Sequence, residues 1–206
     1  MLRLWGRINS INVQKVLWAL DELGVACERI DAGMQFGVVN EPHYRRMNPN
    51  GRVPTIDDDG FVLWESNAIV RYLAAKHGAG SLCPASPHAR ADADRWMDWA
   101  TTTMAPVMTP LFWGLIRTPA DKRDPAALDA LRIQMEGVMR LLDAQLAGGA
   151  FVAGDTFTMG DIPVGCFAQR WLALPIEHGE HPHLGRWLKR LEARPGFLAH
   201  VRMELS

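Results

Sequence analysis

The residues able to do chemistry fall in three short stretches of the first half of the chain. Ser10 and Asn12, a hydroxyl and an amide, sit in a loop just ahead of an amphipathic run that opens at Val13. The step Val53-Pro54 comes next, and the pair Glu65-Ser66 then precedes a second amphipathic run. Each has a plain physical reading. A Ser or Asn beside a helix start commonly serves only as its N-cap. The same position also presents a hydrogen-bond donor next to the positive end of the helix dipole, which suits an anion. Glu65 and Ser66 open a helix whose free N–H groups can hold a carboxylate, or they simply cap it. An X-Pro bond is where a cis peptide is least costly, although only about 5–6% adopt it.

Other chemistries find less support. Cys27, Cys83 and Cys166 are far apart and match no CxxC or metal-ligand spacing, and none lies in the loop at residues 7–12. That argues against a disulfide framework, a structural zinc site and a redox centre built on protein thiols. Cys27 reads as a small buried hydrophobe. His178, His181 and His183 lie beside Gly179 and Pro182 with no accompanying ligand framework, and read as surface-loop histidines rather than a metal centre. The 22 basic and 23 acidic side chains give a net charge of -1, so neither nucleic acid nor a membrane surface is an expected partner. No apolar run approaches the roughly 18 residues of a membrane span, and the opening residues lack a signal peptide's apolar stretch. A cytoplasmic protein is expected.

These candidates need elements to hold them. Alternation around Leu2 and Leu4 predicts a strand that breaks at Gly6. Val13, Val16, Leu17, Leu20 and Leu23 repeat as one face of a helix, with Gly24 as its C-terminal cap. A strand is predicted at 27–30, a loop with one helical turn over 31–47, and strands at 55–56 and 61–63 joined by the acidic turn Asp57-Asp58-Asp59-Gly60. Residues 65–77 predict a helix stopped by Gly78. The order is β-α-β, a loop, then β-β-α.

The stretch 79–87 reads as a linker. Everything beyond it predicts helix: 88 to about 103, a region interrupted by Pro106, Pro110 and Pro119, then 126–147, 158–172 and 182–194. At 206 residues the chain can hold two modest cores. Expected units are an N-terminal α/β domain at 1–78 and an all-helical domain at 88–206.

The segment NPNGRVPTIDDDGFVLWESNAIVRYL, residues 48–73, resembles the glutathione-binding half of the cytosolic glutathione transferase family. The bacterial, serine-type members, theta-like or nu-like, are the most similar. Phe151 to Ile162 resembles the same family's capping segment, with Thr158 as N-cap, Asp161 three residues on, and Gly160 where alanine is usual. The fold implied is a thioredoxin-like α/β domain followed by an all-α domain.

The resemblance also implies roles. Glutathione, as co-substrate and without a metal, would be bound by Arg52, Val53, Pro54, Glu65 and Ser66. A cis Pro54 would turn the Val53 N–H and C=O towards the tripeptide backbone, as a small case of β-augmentation. Ser66 would meet the γ-glutamyl carboxylate, with Glu65 near the ammonium. Ser10 matches the hydroxyl that serine-type enzymes place on the sulfur, and Asn12 is its rival, since the spacing also looks like the nu-type loop. Thr102, Met104, Met108, Phe112 and Trp113 would line the pocket for a small hydrophobic electrophile, and the protein would be a homodimer. The expected activity is conjugation of the glutathione thiolate to that electrophile. Glutathione-dependent disulfide or peroxide reduction, and a non-catalytic glutathione-binding module, are the alternatives.

Overall fold

The computed structural model describes all 206 residues. Strand β1 (Leu2–Trp5), helix α1 (Ile11–Leu23) and strand β2 (Glu28–Ile30) form the opening βαβ unit. Helix α2 (Pro42–Met47) leads to strands β3 (Thr55–Asp58) and β4 (Phe61–Trp64) and helix α3 (Ser66–His77). The sheet order is β2-β1-β3-β4. β1 runs parallel to β2 and antiparallel to β3, with Leu4 opposite Ile56.

Period-two alternation sorts the side chains onto two faces. Leu2, Leu4 and Ile56 join Val13, Val16, Leu20, Ile69 and Leu73 in the main core. Trp5 belongs instead to a small cluster with Ala32 and Tyr44 of α2. Gly24 ends α1 at φ 64°, where a side chain would be strained, and its N–H reaches back to the Leu20 and Asp21 carbonyls. This is the thioredoxin-like domain.

The second half is helical throughout. Helix α4 (Pro87–Trp99) continues through a wide π turn at Ala100–Met104 into α5 (Ala105–Phe112) and a second π turn at Trp113–Arg117. The expected interruption by Pro106 and Pro110 is therefore corrected. Pro106 stands in the first turn of α5 and Pro110 lies inside it. A proline has no N–H to donate and crowds the carbonyl four residues back, and the flanking wide turns absorb that mismatch without ending the helix. Then follow α6 (Pro125–Leu146), α7 (Asp161–Leu172), α8 (Pro182–Glu192) and the unforeseen short α9 (Pro195–His200).

The capping segment differs in detail from expectation. Regular helix begins at Asp161, yet Asp161 reaches back to the Thr158 N–H at 2.9 Å, and the Thr158 hydroxyl accepts from the Gly160 N–H at 3.3 Å. Asp161 is fully buried and also accepts from the Val152 N–H and Trp187 Nε1, each at 3.0 Å. The carboxylate ties the approach to α7 to α8. The histidines also depart from a surface-loop reading. The His181 side chain is only 4% exposed, with Nε2 2.8 Å from Glu136 Oε1, and His178 packs edge-on against Trp171. His181, with the Gly179 N–H that donates to Glu136, holds the turn between α7 and α8 against α6.

Helix α1 joins the two halves. Its Trp18 meets Phe157 at 5.5 Å and Phe197 at 5.1 Å between ring centroids. Glu22 accepts two hydrogen bonds from Arg194, at 2.8 and 2.6 Å. Helix α1 is thereby fixed against the approach to α7 and against the start of α9.

Candidate active site

A cleft of about 500 Å³ opens where the loop before α1 faces the helical half. Its thioredoxin-side wall carries Arg7, Ser10, Ile11, Asn12, Arg52 and Val53. Its helical wall carries Met108, Phe112 and Trp113 of the α5 run, Arg117 beyond them, and Phe167 and Arg170 of α7. The chain thus brings Ser10, Asn12, Arg52, Val53, Met108, Phe112 and Trp113 together. Thr102 and Met104 lie outside the cleft, contrary to expectation. Thr102 is exposed and bonds the Asp98 carbonyl one turn back, whereas Met104 is wholly buried in the core. Met104 shares the buried face of Met108 and Phe112 one turn earlier, where the core closes over it, and Thr102 stands on the solvent side of the π turn at 100–104.

Ser10 occupies the N-cap position of α1, but its hydroxyl accepts no N–H of the first turn. Its side chain is nearly buried at the cleft wall. The hydroxyl is therefore free to serve something in the cleft, beside the positive end of α1. Asn12 is positioned differently. Its Oδ1 accepts from Lys15 Nζ at 3.0 Å and from the Ser66 hydroxyl at 3.3 Å. Ser66 and Glu65 do not line the cleft themselves, and Ser66 reaches it through Asn12. Glu65 holds φ at 72°, a strained conformation for a residue with a side chain, at the point where α3 begins.

The Val53-Pro54 bond is cis. Neither the Val53 N–H nor its carbonyl pairs with another backbone group of the chain, so both can take an extended peptide. Pro54 is buried behind it. The preceding residue is clamped: the Arg52 carbonyl accepts from the Tyr44 hydroxyl at 2.7 Å and from Asn48 Nδ2 at 2.9 Å.

Charge is the feature the sequence reading missed. Lys15 lies fully buried under Asn12, and burial lowers its pKa to about 8, with Arg170 pushing the same way and Cys166 and Glu65 opposing. Burial lowers Arg170 to about 10, and Arg117 and Arg7 add to the fall. Arg7 is lowered by burial and then by Arg117, and Arg117 by burial alone. The Cys166 thiol beside them is pushed up to about 12 by burial, so it remains neutral and offers no counter-charge at neutral pH. Arg7, Arg117 and Arg170 stand far apart in sequence, in no motif, and only the packing of α5 and α7 over the loop unites them. The apolar repeat of α7 is the one signal that could have drawn attention to Arg170, as a charge adjoining a buried stripe.

Residues 1–75 match the family model for the glutathione S-transferase N-terminal domain, and residues 104–195 that for the C-terminal domain. Glutathione S-transferase GstB of Escherichia coli strain K12 is 43% identical over the whole of both chains. Glutathione S-transferase 3 of Zea mays is 30% identical, across 95% of this chain and 91% of that protein. Among solved structures, the theta class glutathione S-transferase of Xanthomonas axonopodis pv. citri with glutathione bound superposes at a TM-score of 0.96 and 48% identity, covering 100% of this chain and 99% of the other.

Proposed function

The chain belongs to the cytosolic glutathione transferase family and is a glutathione transferase, and from that premise we propose that Ser10 holds the glutathione sulfur as thiolate for attack on a small electrophile seated on the helical wall. The observation that carries this reading is the uncapping hydroxyl of Ser10, which shares one cleft with the unpaired backbone of Val53 and the rings of Phe112 and Trp113. Glutathione would lie along Val53 with its backbone paired in antiparallel fashion. Its sulfur would then face the start of α1. Arg52 borders that path, and Asn12, fixed by Lys15 and Ser66, keeps its amide hydrogens beside the same point.

Such a site needs little more than thiolate formation and proximity. A free thiol near pKa 8.5 is only about 3% ionised at pH 7, and a fall of about two units, roughly 2.7 kcal/mol, makes thiolate the major form. One charge-directed hydrogen bond with the helix dipole supplies an energy of that order. The electrophile's apolar part would rest on Met108, Phe112, Trp113 and Phe167. Glu65 and Ser66 would bound the γ-glutamyl end at the start of α3.

The family architecture further implies a homodimer acting in the cytoplasm. No helix is long and apolar enough to cross a membrane. Sedimentation at micromolar protein tests the dimer, which a monomer mass would exclude. The chemistry is tested by paired variants, Ser10→Ala and Asn12→Ala, assayed with 1-chloro-2,4-dinitrobenzene and with a mixed glutathione disulfide. Ser10→Ala is expected to lose most conjugation while retaining glutathione affinity. Loss confined to Asn12→Ala, with turnover of the disulfide only, would transfer the role to the amide and the activity to reduction.

A further inference from the structure

Arg7, Arg117 and Arg170 come from the loop before α1, the end of the α5 run and α7, and all line the cleft, Arg117 and Arg170 from its helical wall and Arg7 from the thioredoxin side. No aspartate or glutamate lines that cleft. Arg7 Nε is buried with no partner, and Arg117 gives one hydrogen to the main-chain oxygen of Ser206, the last residue, at 2.9 Å. What accompanies the guanidinium groups is aromatic. Arg170 lies 4.3 Å and Arg117 5.1 Å from the Phe112 ring centroid, and Arg117 also lies 4.8 Å from that of Trp113.

Cations brought together, partly desolvated and paired with no carboxylate side chain repel one another, and a fold retains them where something negative offsets the repulsion. Cation–π contact with Phe112 supports the guanidinium planes, and leaves N–H edges in the fork geometry that matches a carboxylate. The rings beside them would take an apolar body.

We infer that Arg7, Arg117 and Arg170 form an anion site, and that the second substrate is an electrophile with an unsaturated or aromatic body and a carboxylate-type group. The inference rests on the proposed function for the reaction itself. It goes beyond it in the class of substrate. The anion is assigned to the second substrate rather than to glutathione because Arg117 and Arg170 adjoin Phe112, and Arg117 also Trp113, on the wall opposite Val53; Arg7 contributes from the thioredoxin side.

The test compares 3-nitrobenzoate with its uncharged counterpart 3-nitrobenzamide, each titrated calorimetrically into protein saturated with S-methylglutathione. The benzoate is expected to bind at least ~10-fold more tightly, as one or more charge-assisted hydrogen bonds to a carboxylate require. That ratio is expected to collapse towards one in Arg170→Met. Arg117→Gln, at a partly exposed position, carries the same expectation should the more deeply set variant not fold. Equal affinities in the unaltered protein overturn the inference, and so does a preference that both variants keep. A fall in S-methylglutathione affinity by the same factor as the benzoate ratio would assign the arginines to glutathione and also overturn it. Failure to bind S-methylglutathione at all would instead refute the proposed function. The benzoate ratio, read without the thioether, would still decide the arginine site.

Discussion

The buried ammonium of Lys15 donates a 3.0 Å hydrogen bond to Asn12 Oδ1. Together with the Ser66 hydroxyl it fixes which end of the Asn12 amide faces the cleft. A lysine so placed is costly, since burial lowers its pKa from 10.5 to about 8. The sign follows from proton counting. Between pH 8 and 10.5 the unfolded chain holds the Lys15 proton while the folded protein has released it, so stability from this group rises with pH across that window. Unfolding free energies measured in urea at pH 7.5 and 9.5 are expected to show an increment on the order of 1–2 kcal/mol in the unaltered protein that Lys15→Met lacks. Equal pH slopes in the two proteins would place the lysine's titration outside this range.

Ser10 offers a second measurement, independent of turnover. If its hydroxyl stabilises the thiolate, the absorbance of bound glutathione near 240 nm should titrate well below pH 8.5 in the unaltered protein. In Ser10→Ala the midpoint is expected to rise by about 1–2 units, the equivalent of one charge-assisted hydrogen bond. An unchanged midpoint would leave α1 and Asn12 as the source of the shift.

Tyr44 should act on binding and not on chemistry. Its hydroxyl holds the Arg52 carbonyl at 2.7 Å, which sets the direction of the Val53 N–H and C=O. Asn48 Nδ2 provides a second hold at 2.9 Å. Tyr44→Phe is therefore expected to raise the glutathione KM several-fold, consistent with about 1 kcal/mol for a neutral hydrogen bond, at nearly constant kcat. A fall in kcat with KM unchanged would contradict that role.

How much of this was legible beforehand varied with the range of the interaction. The βαβ-ββα order follows from local periodicity, and Gly24 and Gly78 were readable as helix stops because their effect is local. Val53-Pro54 was legible only through the resemblance, since base rates favour trans. Pro106 and Pro110 misled because a proline's cost is counted against a regular α-helix, and two π turns change that reference. Thr102 and Met104 were misplaced because spacing along the helix does not say which positions the core covers and which meet solvent. Arg7, Arg117 and Arg170 were invisible for a different reason: a cation's partners, or their absence, depend on elements that meet only in three dimensions.

Gly160 shows how a departure from the family's usual residue becomes a stability prediction. Alanine is the better helix former by up to about 1 kcal/mol, so substitution at a helix start should help on propensity alone. Packing opposes it. A Cβ built on Gly160 would stand 2.8 Å from the Ala93 carbonyl oxygen and 3.2 Å from its Cα, and those are backbone atoms in the middle of α4 that cannot turn aside. Helix α7 would have to withdraw from α4, loosening the buried bonds that Asp161 makes to Val152, Thr158 and Trp187. Overpacking of this kind costs about 1–3 kcal/mol, more than propensity returns. Gly160→Ala is expected to lower the urea midpoint at unchanged slope, and a variant as stable as the unaltered protein would mean that the two helices separate freely.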